Sequence, residues 1–185
     1  LQALCAAPDN SYRYLDYLRL DYRGALQGGP EVEDIFRTLT PERARAARVL
    51  HEAAQGLGLK PKLKPLREIT SGSRWKVEYQ EKGRSAAGFY ADPESLTLCL
   101  YFGEAERISQ VSALLWAQDE TLAAWFDGKF PERQCKCPSN RRVRLGGGLR
   151  NICGLSNRAE VPEPDREDLE HTLQVLRLVW SGRGN

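Results

Sequence analysis

Three of the chain's five cysteines, Cys135, Cys137 and Cys153, fall in one short segment with the arginines Arg141, Arg142, Arg144 and Arg150 and a Gly146-Gly147-Gly148 run. Thiolates are strong zinc ligands, so the three sulfurs form a candidate metal site. A structural zinc site takes four ligands, and no fourth is evident: Cys5 and Cys99 are distant in sequence. A second chemistry is redox, because nearby guanidinium groups lower a thiol pKa and favour the thiolate. The plainest reading is that the cysteines are reduced and structural. An odd cysteine count in a chain of ordinary core composition argues against a secreted disulfide framework and for a reducing cytosol.

The arginines have two readings of their own. From Lys129 to Arg158 the chain carries eight basic residues against Glu132 alone, and from Glu160 to Glu170 six acidic residues against Arg166. The basic run could form a positive face for phosphate, carboxylate or nucleic acid. Beyond Phe130 at its start no aromatic residue interleaves with it, as stacking on single strands requires, and no recognition helix carries it. A solvated surface neutralised by the downstream acids is therefore the simpler account, ahead of a nucleic-acid site.

Catalytic patterns are missing. There is no Ser-His-Asp arrangement, no phosphate-binding P-loop, no dinucleotide fingerprint and no H-E-x-x-H. Only a thiol offers a reactive group, and His51 and His171 show no link to any cysteine. The 185 residues are 41% hydrophobic and 28% charged, with a net charge of +2, which describes one ordinary globular core. No apolar run reaches the length that spans a membrane, and no secretory signal pattern opens the chain.

Positioning such groups falls to an α+β scaffold. Tyr12, Leu15, Leu18 and Tyr22 predict a helix over 11–27, and Val32, Ile35, Phe36 and Leu39 a short second one. Thr40-Pro41-Glu42 opens a third, running to about Leu57, with Ala46, Ala47, Leu50, Ala53, Ala54 and Leu57 inward. Lys60 to Pro65 is extended and suited to an edge or loop. The period then changes to two. Strands are expected over 75–80, 85–91 and 96–102, the last apolar almost throughout and therefore central, with Cys99 inside it. Two helices follow, marked by Ile108, Val111, Leu114 and Leu115 and by Leu122, Trp125 and Phe126. A hairpin over 142–153 joins the same antiparallel sheet. Pairing it symmetrically about Gly147 sets Cys153 opposite Arg141, with Cys137 roughly 13 Å further along if extended. A final helix runs from about Asp165 to Trp180, placing His171 on its outer face. The division is a 1–128 body with a 129–185 hairpin-and-helix portion packed on it as one structural domain.

The segment from Cys135 to Leu178 resembles the C-terminal part of a family of uncharacterised small bacterial proteins. The shared features are the Cys135/Cys137 pair, the basic Gly-rich hairpin, Cys153, Pro164 and the acidic start of the last helix. The block from Trp75 to Phe102 is similar to the middle of the same proteins. The resemblance implies a cytosolic α+β protein with a ligand groove on its sheet, and it assigns no catalytic residue.

Two functional expectations follow. One is a non-catalytic domain binding a small molecule or anion, with Trp75, Tyr79 and Tyr101 lining a cleft and Arg141, Arg142, Arg144 and Arg150 at its mouth. The other is a thiolate-zinc module of Cys135, Cys137 and Cys153 that docks an acidic partner or nucleic acid.

Overall fold

The computed structural model describes residues 31–65, 75–92, 94–132, 140–153 and 157–181. The helix expected over 11–27 lies outside the described residues, as do Cys5, Cys135 and Cys137. The first described element is α1 (Val32–Phe36), closed at its start by a reciprocal capping box between Glu31 and Asp34. Helix α2 (Pro41–Gly56) begins where the hydroxyl–proline pair predicts, with the Thr40 hydroxyl accepting from the Arg43 amide.

Among the described residues, five strands form the main sheet: β1 (Lys60–Pro65), β2 (Trp75–Glu81), β3 (Arg84–Asp92), β4 (Ser95–Tyr101) and β7 (Arg158–Pro162), in the order β1-β2-β3-β4-β7 and antiparallel throughout. The proline-bearing segment is thus an edge strand. The other edge, β7, is short and charged, and the sequence reading missed it. Its pattern, Ala159 and Val161 alternating with Arg158 and Glu160, is the period-two signal in its briefest form.

Register divides the sheet into two unlike faces. Trp75, Val77 and Tyr79 align with Ala91, Phe89 and Ala87, then with Leu96, Leu98 and Leu100, and finally with Val161 and Ala159. All are buried. Phe36 stacks on Phe89 with ring centroids 6.0 Å apart, and His51 shares a 2.9 Å hydrogen bond with the Tyr79 hydroxyl, so α1 and α2 cover this face. Each large side chain removed from water here contributes about 2 kcal/mol. The opposite face presents Lys76 and Glu78, Tyr90, Cys99 and Tyr101, and Arg158 and Glu160.

Helices α3 (Ala105–Trp116) and α4 (Glu120–Gly128) carry a hairpin, β5 (Asn140–Leu145) and β6 (Gly148–Cys153), and α5 (Arg166–Ser181) then packs against α2 and β3. The hairpin is a two-stranded sheet of its own, where the sequence reading had joined it to the main sheet. Its inward Val143, Leu145 and Ile152 nevertheless belong to the same continuous core as the five-stranded sheet. Leu114 does not point inward as expected: it is 43% exposed, because the buried stripe of α3 runs through Ile108, Val111, Ser112 and Leu115. Among the described residues, no helix is long and apolar enough to cross a membrane.

Candidate ligand cleft and its charged surround

A two-residue turn delivers the first wall. Lys82 (φ 48) and Gly83 (φ 79) both take positive φ, the geometry that matches the twist of a tight hairpin. Arg84 therefore stands at the start of β3, exposed, with no ion pair or hydrogen bond to its side chain among the described residues. Tyr101 closes β4, and Arg158 opens β7 directly across from it. With Glu104 and Glu106 at the start of α3, and Trp180 at the end of α5, these residues line a cleft of about 660 Å³. That volume lies within the usual range for small-molecule sites. Asn157 holds the floor: its backbone carbonyl accepts from the Phe102 amide at 2.9 Å, and its Nδ2 donates to the Gly103 carbonyl at 2.8 Å.

Behind the cleft, the polar face of the sheet is knitted together. Glu78, only 5% exposed, accepts from Lys64 Nζ at 2.6 Å and pairs with Lys76 Nζ at 2.5 Å. Burial alone would raise the Glu78 pKa, but the two ammonium groups outweigh it and hold the carboxyl below its ordinary value. Lys76 also lies over the rings of Tyr90 and Tyr101, at 5.3 and 5.4 Å, and its pKa is raised: burial works against the charge, and Glu78 and Tyr90 prevail. Arg158 donates to the Tyr90 hydroxyl at 2.8 Å and pairs with Glu160 at 2.6 Å. Burial pushes the Tyr101 phenol far above its usual range, and the fully buried Cys99 thiol up to about 12. Cys99 is thus protonated and enclosed at neutral pH, which makes it a small core residue and no nucleophile.

No family model, no curated protein and no solved structure gives a significant match to this chain. Its residues alone carry the functional argument.

The sheet separates the three aromatics expected around a ligand. Tyr101 lies in the cleft, whereas Trp75 (4% exposed) and Tyr79 (0%) face the helices within the core. Period-two alternation requires this, since residues 75, 77 and 79 share the apolar face. The arginines are likewise divided. In the hairpin Leu145 pairs with Gly148 and Asn140 with Cys153, one residue out of step with pairing about Gly147. Arg141 therefore opposes Ile152, and a slip of one residue exchanges the faces. Arg142 and Arg144 share the exposed face of the ribbon, while Arg141 and Arg150 alternate with them. Arg150 turns back to donate to the Asp127 and Phe130 carbonyls, at 2.9 and 3.4 Å, complementing the negative end of α4. None of the four lines the cleft described above.

Cys153 is a free, half-buried thiol opposite Asn140, and Cys135 and Cys137 lie outside the described residues. Among the described residues no group of three or more His, Cys, Asp or Glu side chains is placed to hold a metal ion. His171 does not stand on an outer face as expected. Its ring packs against Trp125 at 5.2 Å, and its Nδ1 is buried.

Sequence reasoning missed the residue that anchors the hairpin. Asp127 is 4% exposed and accepts from the Ser112 hydroxyl (2.7 Å), the Trp116 indole (2.8 Å) and the Gly146 amide (2.8 Å). A Cβ on Gly146 would collide with the Trp116 indole, so the missing side chain lets the ribbon tip seat against α3. The sequence signal was faint: an aspartate beside a glycine at a helix end reads as a stop.

Proposed function

We propose that the protein is a non-catalytic domain that binds a small anionic molecule in the cleft bounded by Arg84, Tyr101 and Arg158. The observation that carries this reading is the Arg84 guanidinium, which has no partner among the described residues and lies in a cleft of ligand size. A guanidinium presents paired donors suited to a carboxylate or phosphate. Tyr101 supplies a ring at the wall, and the Lys76 ammonium, paired with Glu78, lies 5.4 Å from that ring's centroid. A rigid surround reduces the ordering cost of binding.

The test is a thermal-shift titration with small carboxylates and phosphates. A ligand that binds the folded state should raise Tm progressively with concentration. Arg84→Ala should weaken the best ligand by about tenfold, equivalent to ~1.4 kcal/mol. The reading fails if no anion in the panel stabilises the wild-type protein.

A further inference from the structure

The cleft carries both signs of charge, and this restricts what fits it. Arg158 is committed to Glu160 and Tyr90, and Arg107 donates to the Val179 carbonyl at 2.9 Å. The charged lining groups whose side chains have no partner among the described residues are then one cation, Arg84, and two anions, Glu104 and Glu106. A purely anionic ligand would gain Arg84 and meet two like charges, and a purely cationic one would meet the reverse. A third observation concerns Asn157. Its Nδ2 bond to the Gly103 carbonyl identifies the other amide atom as oxygen, and that Oδ1 is buried without a hydrogen-bond partner. A buried acceptor left unpaired is costly, and an incoming N–H would relieve it.

We propose that the ligand of this cleft is a zwitterion of amino-acid type. Its carboxylate meets Arg84, its ammonium group is received by Asn157 Oδ1 and the Glu104 and Glu106 carboxylates, and its apolar body lies along Tyr101 and Trp180. This rests on the anion-binding reading above and adds the amine requirement to it. Specificity for the amine would come from the same two carboxylates that repel a simple acid.

Calorimetry with L-phenylalanine, 3-phenylpropionate and phenethylamine separates the two ideas, because the three share one ring and differ in their charged groups. L-Phenylalanine should bind about tenfold more tightly than either analogue. The double variant Glu104→Gln/Glu106→Gln should erase that preference while leaving 3-phenylpropionate affinity unchanged or improved. Neither carboxylate makes a side-chain bond among the described residues, so the variant should fold. Asn157→Leu should act in the same direction as a second check. Equal binding of 3-phenylpropionate and L-phenylalanine overturns the zwitterion and leaves the anion site standing. Preference for phenethylamine overturns both. No binding by any of the three or by a panel of the common amino acids overturns the zwitterion, and the anion site falls with it only if small carboxylates and phosphates also fail to stabilise the protein.

Discussion

The β5–β6 hairpin and the cleft beside Arg84 are opposites in how they are written into the chain. The hairpin concentrates arginine and glycine in one run, yet folding sends its side chains different ways: Arg142 and Arg144 face outward, Arg150 serves the end of α4, and Val143 and Leu145 enter the core. The cleft draws on residues far apart in sequence, Arg84, Tyr101, Glu104, Asn157 and Trp180, none of which stands out locally. Proximity along a strand alternates faces, whereas proximity in space is produced where several strands and helices end together.

That contrast can be broken most forcefully at the hairpin's anchor. Asp127→Ala would leave three donors from α3 and the ribbon tip unpaired and should cost about 3 kcal/mol in urea unfolding. A loss below about 1 kcal/mol would mean that the ribbon is held by its apolar contacts and by the Arg150 and Arg144 hydrogen bonds, without need of the Asp127 carboxylate. Gly146→Ala should cost about 1–2 kcal/mol by displacing the Trp116 indole, visible as a change in tryptophan fluorescence. Arg84→Ala and Arg142→Ala form the direct comparison. Each should change stability by less than ~0.5 kcal/mol, but only the first should weaken anion binding. Equal losses would remove the distinction between the two regions. The smallest effect is expected in acid. Glu78 has a folded pKa below its unfolded value of about 4.3, so its stabilisation is present above that pH and fades as pH falls through the folded pKa. Glu78→Gln should accordingly flatten the decline of Tm below about pH 4.3, with little change in the protection of hairpin amides from hydrogen exchange.

Much of the scaffold was legible because periodicity reports burial. The Thr40–Pro41 helix start, the Trp75–Val77–Tyr79 alternation and the largely apolar run of β4 each express one local rule. The α+β class follows from them. What escaped was set by partners distant in sequence. β7 is five residues long and two of them are charged, so only pairing with β4 makes it a strand. The hairpin register depends on where Asp127 and Trp116 grip Gly146, which no count along residues 141–153 contains. The candidate cleft was legible through Tyr101 alone. Arg84 looked like an ordinary turn residue, and Asn157 and Glu104 carried no pattern at all.

The composition of β1 has a consequence for how the molecule behaves among its own copies. Of its six residues, Lys-Pro-Lys-Leu-Lys-Pro, two lack an amide hydrogen and three bear ammonium groups. An extended foreign segment approaching this border would find donors missing from the ladder and positive charge along it. As the border of the sheet among the described residues, β1 is therefore a poor template for growth by strand addition and for cross-β stacking.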